Sequence, residues 1–160
     1  MTPAMAPPPP DPRAAAPLEP SPFFKLLLLV NLTAKPFGRL YERRFQLSLS
    51  EWRVMLTLAS RPDLSATEIA DALGLDKMAV SRALRGLEKR GRVERGRHPA
   101  DGRRDSLALT EAGWELYRAI APAARERENG LLSELDGPDR ARLDAMLNKL
   151  LAGARKLPDG

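Results

Sequence analysis

The stretch from residue 65 to residue 91, "SATEIADALGLDKMAVSRALRGLEKRG", constrains the fold more than any other part of the chain. Ser65 and Glu68 stand at capping-box spacing, so a short helix, "ATEIADAL", begins there. Gly74 ends it, because glycine enters the left-handed conformation without steric cost. Asp76 is a suitable N-cap for a second helix, predicted over 77–90, and Gly91 closes that one. Two capped helices joined by a tight glycine turn read as a helix-turn-helix.

The second helix has two unlike faces. With Val80 at 0° and about 100° per residue, Ala83, Leu84 and Leu87 fall within about 60° of it and form a buried stripe. Arg85, Met78, Lys89 and Arg82 fall between about 140° and 200°. Ser81 lies at the edge of that arc, and Glu88, near 80°, lies off its centre. The outward face therefore carries three cations and a methionine with no acid between them.

The charge map agrees. Residues 76–104 hold ten Lys or Arg and four Asp or Glu, a local excess of six, while the whole chain is only +5. A solvated helix face ordinarily mixes signs to gain i,i+4 pairs. A helix face of one sign followed by a basic hairpin is what duplex DNA requires, with the helix in the major groove and the loop on phosphates or in the minor groove. The competing reading is a basic face that is merely solvated. The order of elements counts against it, because capped helix, glycine turn, basic helix and basic hairpin is the order a winged helix needs.

That hairpin is read from "RVERGRHPADGRRDSLALT", residues 92–110. Val93–Arg95 and Ser106–Leu109 are predicted as two short strands around a loop rich in Gly, Pro, Asp and Arg. On the N-terminal side, Phe23 to about Phe45 reads helical with apolar residues on more than one stripe, so two faces must be buried. Pro36 is expected to kink or break it. "SLSE" at 48–51 is a further capping box, leading into a helix to which Trp52, Met55, Leu56 and Leu58 supply core. Arg61-Pro62 stops it. Thr110 caps a helix from Glu111 in which Pro122 is expected to make a kink, and Asp136 caps the last helix with Pro138 in its first turn.

Several function classes are excluded by what the chain lacks. There is no cysteine, hence no disulfide, thiolate nucleophile or thiolate metal site. One histidine, His98, rules out schemes needing two histidines in one chain. No glycine-rich phosphate loop, metal cluster or nucleophile triad is present, so neither enzymatic activity nor a metal or cofactor is expected. The longest strongly apolar run, "LLLLV" at 26–30, is far shorter than the roughly 18 residues a membrane span needs. No secretory pattern is evident, and a cytoplasmic protein without a membrane partner is expected. Residues 1–22 hold nine of the fifteen prolines and read as an extended or disordered tail.

At this point the chain resembles a known family. "SATEIADALGLDKMAVSRALRGLEKRGRVER" followed by "DGRRDSLALTEAG" looks like the winged helix-turn-helix of the MarR family, the multiple-antibiotic-resistance type of regulator. The "VSR...L..LEKRG" run matches its recognition helix. Asp101 to Arg103, Leu109-Thr110 and Gly113 match its wing signature. The resemblance spans roughly residues 23–155 and is sharpest over 64–113.

The resemblance implies a mostly α, winged helix-turn-helix protein with a short β-hairpin wing and an interlocked helical dimerisation region. It divides the chain into the tail 1–22, a dimerisation helix 23–47, a DNA-binding region 48–110 and C-terminal helices 111–157 completing the dimer. It implies a homodimer that reads double-stranded DNA at an inverted repeat, and an effector, a small aromatic or lipophilic acid, that releases the DNA. Helix 77–90 becomes the recognition helix, Arg103 enters the minor groove, and Asp101 holds its guanidinium or the hairpin. Oxidant sensing through cysteine is excluded, and zinc sensing is disfavoured by the lone histidine.

Individual roles follow. Arg82 and Arg85 suit either bidentate contacts to guanine or phosphate contacts. Lys77 and Ser81 are candidates for base or phosphate, Met78 for a thymine methyl, and Lys89 for phosphate. Arg97 and Arg104 are expected on the DNA backbone, with His98 an exposed wing residue. Trp52, Trp114 and Tyr117 are read first as core and second as walls of an effector pocket, with Arg53 as a candidate anion anchor or surface ion-pair residue. The competing function is an architectural or partner-docking winged helix without an effector.

Overall fold

A computed structural model describes residues 21–98 and 101–157, without the side chains of residues 35, 98 and 101–103. The tail at 1–20 and the side chains of His98, Asp101 and Arg103 therefore lie outside the description. The element order is α1 (Pro22–Phe45), α2 (Leu49–Ser60), α3 (Ala66–Leu73), α4 (Lys77–Lys89), β1 (Val93–His98), β2 (Asp101–Leu109), α5 (Glu111–Leu131) and α6 (Gly137–Ala154). The chain is mostly helical with one two-stranded sheet among the described residues.

The helix starts are set by short polar side chains. Ser65 Oγ accepts from the Glu68 amide and the Glu68 carboxylate accepts from the Ser65 amide, a complete capping box. Ser48 and Glu51 repeat the arrangement at α2. Asp76, Thr110 and Asp136 accept from the amides of Ala79, Gly113 and Asp139 at the starts of α4, α5 and α6. Gly74 (φ 60°) and Gly91 (φ 64°) close α3 and follow α4 in left-handed backbone that other residues adopt at a cost.

Two compact units make up the fold, one running to Trp52 and one from Arg53. This boundary falls inside α2. In the first unit, α1 runs through Pro36 without the break held open above. Phe37, Tyr41 and Phe45 recur every four residues and stack edge to face, which supports the helix beyond the proline. Trp52 packs on Tyr41 at 5.9 Å between ring centroids.

In the second unit, α4 buries Val80, Ala83, Leu84 and Leu87, the predicted stripe. Val54, Met55 and Leu58 of α2 are buried, but Leu56 is 38% exposed and is not core. The buried arc of α2 centres between Met55 and Leu58, and Leu56 sits past its edge. Like Pro36, Pro122 leaves its helix unbroken.

The strands outlast the prediction. They pair antiparallel from Val93↔Leu109 to Arg97↔Asp105, with a bulge before His98↔Asp101. An isolated bridge, absent from the sequence reading, joins the outer side of β2: Leu107 donates its amide to the Leu64 carbonyl at 3.0 Å, and the Asp63 amide donates to the Leu107 carbonyl at 3.2 Å. The connector between α2 and α3 is thus bonded into the base of the hairpin.

Candidate nucleic-acid interface

The outward face of α4 is built by its inward face. Val80 and Leu87 are 0% exposed, so the helix cannot rotate about its axis without moving them into water. That fixes Lys77, Met78, Arg82, Arg85 and Lys89 on the exposed side, with Met78 59% exposed and Ser81 half-buried. Arg85 Nε donates to the Ser81 carbonyl at 3.4 Å, laying the guanidinium back along the helix.

The base of the hairpin is tied to α4 and α5. Thr110 uses one hydroxyl twice: it donates to the Gly91 carbonyl at 2.6 Å and accepts from the Gly113 amide at 3.1 Å. A β-carbon at Gly113 would run into the Arg92 carbonyl, so only glycine lets α5 start this close to the strand. The Thr and Gly of the sequence motif are therefore one joint.

Further out, arginines tie the hairpin to the two helices of the helix-turn-helix. Arg95 reaches Glu88 of α4 and Asp105 of β2, both at 3.3 Å. Arg104 Nη2 donates to Glu68 Oε1 at 2.6 Å. The Glu68 carboxyl is held down to about 2, first by the Ser65 amide, then by the Ser65 hydroxyl, and then by Arg104. The sequence gives Glu68 a capping role through its spacing to Ser65, whereas a pairing across 36 positions leaves no local signature. Arg97 is exposed on β1.

Trp52 is 3% exposed within the aromatic cluster of the first unit. Trp114 and Tyr117 stack edge to face at 5.6 Å on α5, half-buried, and Arg53 is half-buried on α2. A separate open groove of about 640 Å³ is lined by Arg61, Leu64, Glu68, Asp71 and Arg155 among others, a balanced set of charges.

A capped short helix, a glycine turn, a basic helix seated by its apolar side and a hairpin tied to both define a winged helix-turn-helix, a DNA-binding fold. The family model described as MarR family matches residues 45–104. Transcriptional repressor MprA of Escherichia coli (strain K12) is 28% identical over 137 residues, covering 81% of this chain and 78% of that protein. A MarR/EmrR family transcriptional regulator from Acinetobacter sp. ADP1 superposes with a TM-score of 0.77 at 34% identity, covering 83% of this chain and 94% of that one. The S. aureus MepR–DNA complex shares the fold, with a TM-score of 0.74 at 23% identity over 84% of this chain and 97% of that one. The chain belongs to the MarR family of transcriptional regulators.

Proposed function

We propose that the chain is a ligand-responsive repressor that binds an inverted-repeat operator as a homodimer. The observation that carries this reading is the acid-free outward face of α4, where Met78, Arg82, Arg85 and Lys89 stand exposed on a helix locked by its buried stripe. Arg82 and Arg85 read bases or phosphates, Lys77, Ser81 and Lys89 support them, and Arg103 reaches into the minor groove with Asp101 bracing it.

Dimerisation is supported by apolar surface without a cover. Phe23, Phe24, Leu27–Val30 and Leu32 of α1, with Met146, Leu150 and Leu151 of α6, are each at least 43% exposed. A second copy buries such surface, and a twofold axis then sets two recognition helices about ten base pairs apart. Repression is supported by MprA, which bears that name, and DNA binding by MepR, whose fold is solved on DNA. The effector is a small aromatic or lipophilic acid, as the family resemblance implies, and it acts by favouring a dimer whose reading heads no longer match the half-sites.

Footprinting tests the reading. Purified chain should protect one inverted repeat in a duplex selected from a random library, two chains per site, and an aromatic acid such as salicylate should raise its melting temperature and lift the footprint. Uniform protection without a preferred site indicates the architectural alternative instead. No protection at all would refute the regulator reading.

A further inference from the structure

Arg104 and Glu68 are 36 positions apart, yet their side chains meet at 2.6 Å. Both Glu68 oxygens are committed. Oε2 accepts from the amide and the hydroxyl of Ser65, each at 2.8 Å, while Oε1 accepts from Arg104. The carboxylate is thereby immobilised by the cap of α3 on one side and presented to β2 on the other. Three residues further along β2, Leu107 is bonded to Leu64 of the same connector. The strand is thus fixed to the α3 region at two points, through backbone at its base and through charge nearer its tip. On the opposite flank, Arg95 ties the hairpin to Glu88 of α4.

We infer that Glu68 and Arg104 form a strut that sets the wing against α3 before DNA arrives, so that Arg104 is a positioning residue and not a phosphate contact. Its neighbour Arg103 is the residue read into the minor groove, so holding the backbone at 104 holds it at 103. Arg104 places Nη2 on an ordered carboxylate at 2.6 Å, and that charge-assisted bond orients its side chain toward α3. The strut rests on the DNA-binding reading above, and the two fail separately in the experiment below.

The experiment compares wild type, Glu68→Gln, Arg104→Gln and the double variant, using full-length chain and the duplex selected with wild type. In Glu68→Gln the new carboxamide still offers an oxygen to the Ser65 amide, so the cap survives, and thermal melts check that each variant folds. The strut predicts that each single variant binds about fivefold more weakly per reading head, the upper range for an exposed ion pair. It predicts an unchanged slope of log K against log salt, and a double variant no weaker than either single one. A phosphate contact predicts the reverse: the slope for Arg104→Gln becomes shallower by about 1 per head, and Glu68→Gln tightens binding by removing an acid near DNA. Either of those results, or additive losses, overturns the strut. Amide exchange in the DNA-free protein gives a second readout: both single variants should speed exchange in β1 and β2 and leave α2 unaltered. Unchanged strand exchange overturns the strut. Wild type that binds no duplex, with strand exchange still sensitive to both substitutions, overturns the DNA reading and keeps the strut.

Discussion

Helices α4 and α6 both carry leucines and arginines, yet they use them differently. Four α4 side chains are buried, while none on α6 is. The apolar residues of α4 repeat on one stripe and find the sheet and α3 within the same chain. Those of α6, Met146, Leu150 and Leu151, are each at least 55% exposed, and the N-terminal half of α1 is similar. Burying apolar surface is the main favourable force in folding, which is why the proposed dimer interface is placed on these helices. Helix α4 buries its apolar stripe within one chain; α6 does not.

That contrast can be broken most forcefully at α6. Met146→Glu/Leu150→Glu should leave the reading head folded but put uncompensated charges into the proposed dimer interface, at a cost of about 3–5 kcal/mol. Sedimentation should then give a monomer with operator binding lost. A double variant that stays dimeric would place the interface elsewhere.

Within the head, Leu87→Ala should cost about 2–5 kcal/mol, because the side chain is 0% exposed and leaves a cavity. Denaturant melts at two protein concentrations distinguish it from the α6 variant, whose loss of stability should depend on concentration. Gly113→Ala should cost about 1–3 kcal/mol by pushing α5 off the Arg92 carbonyl, lowering the melting temperature by about 2–4 °C per kcal/mol.

The smallest effect concerns pH. Glu68 is depressed from 4.5 to about 2, so the stability it adds is complete above its unfolded value and is lost as pH falls between those two values. The difference in unfolding midpoint between wild type and Glu68→Gln should be flat from about pH 8 to about pH 5 and shrink below about pH 4. A transition near neutrality would point to a different group.

Much of the head was legible because its instructions are local. Ser65, Asp76, Thr110 and Asp136 cap the helices expected of them, and each bond spans three residues. The inward stripe of α4 follows from periodicity alone. What escaped was long-range or marginal. The Leu64–Leu107 rung is a single pairing, too short to show strand alternation. The Arg104–Glu68 pair depends on where the hairpin lands after folding. Leu56 was misplaced because a residue just past the edge of a buried arc looks apolar in the same way as one inside it. Proline at position 36 signals a break, but the aromatic ladder that follows is helical on its own terms. The residues expected on DNA lie on α4 and on the hairpin, and Met78, Arg82, Arg85, Lys89 and Arg97 are exposed there.

The central claim is that the outward face of α4 reads duplex DNA, and its most direct measurement is the affinity of Arg82→Ala/Arg85→Ala for the selected operator at fixed salt, beside its melting temperature. The account predicts an unchanged melt, since neither side chain is buried, and a loss of about 2–6 kcal/mol per reading head. Operator affinity equal to wild type, with the fold intact, would contradict it.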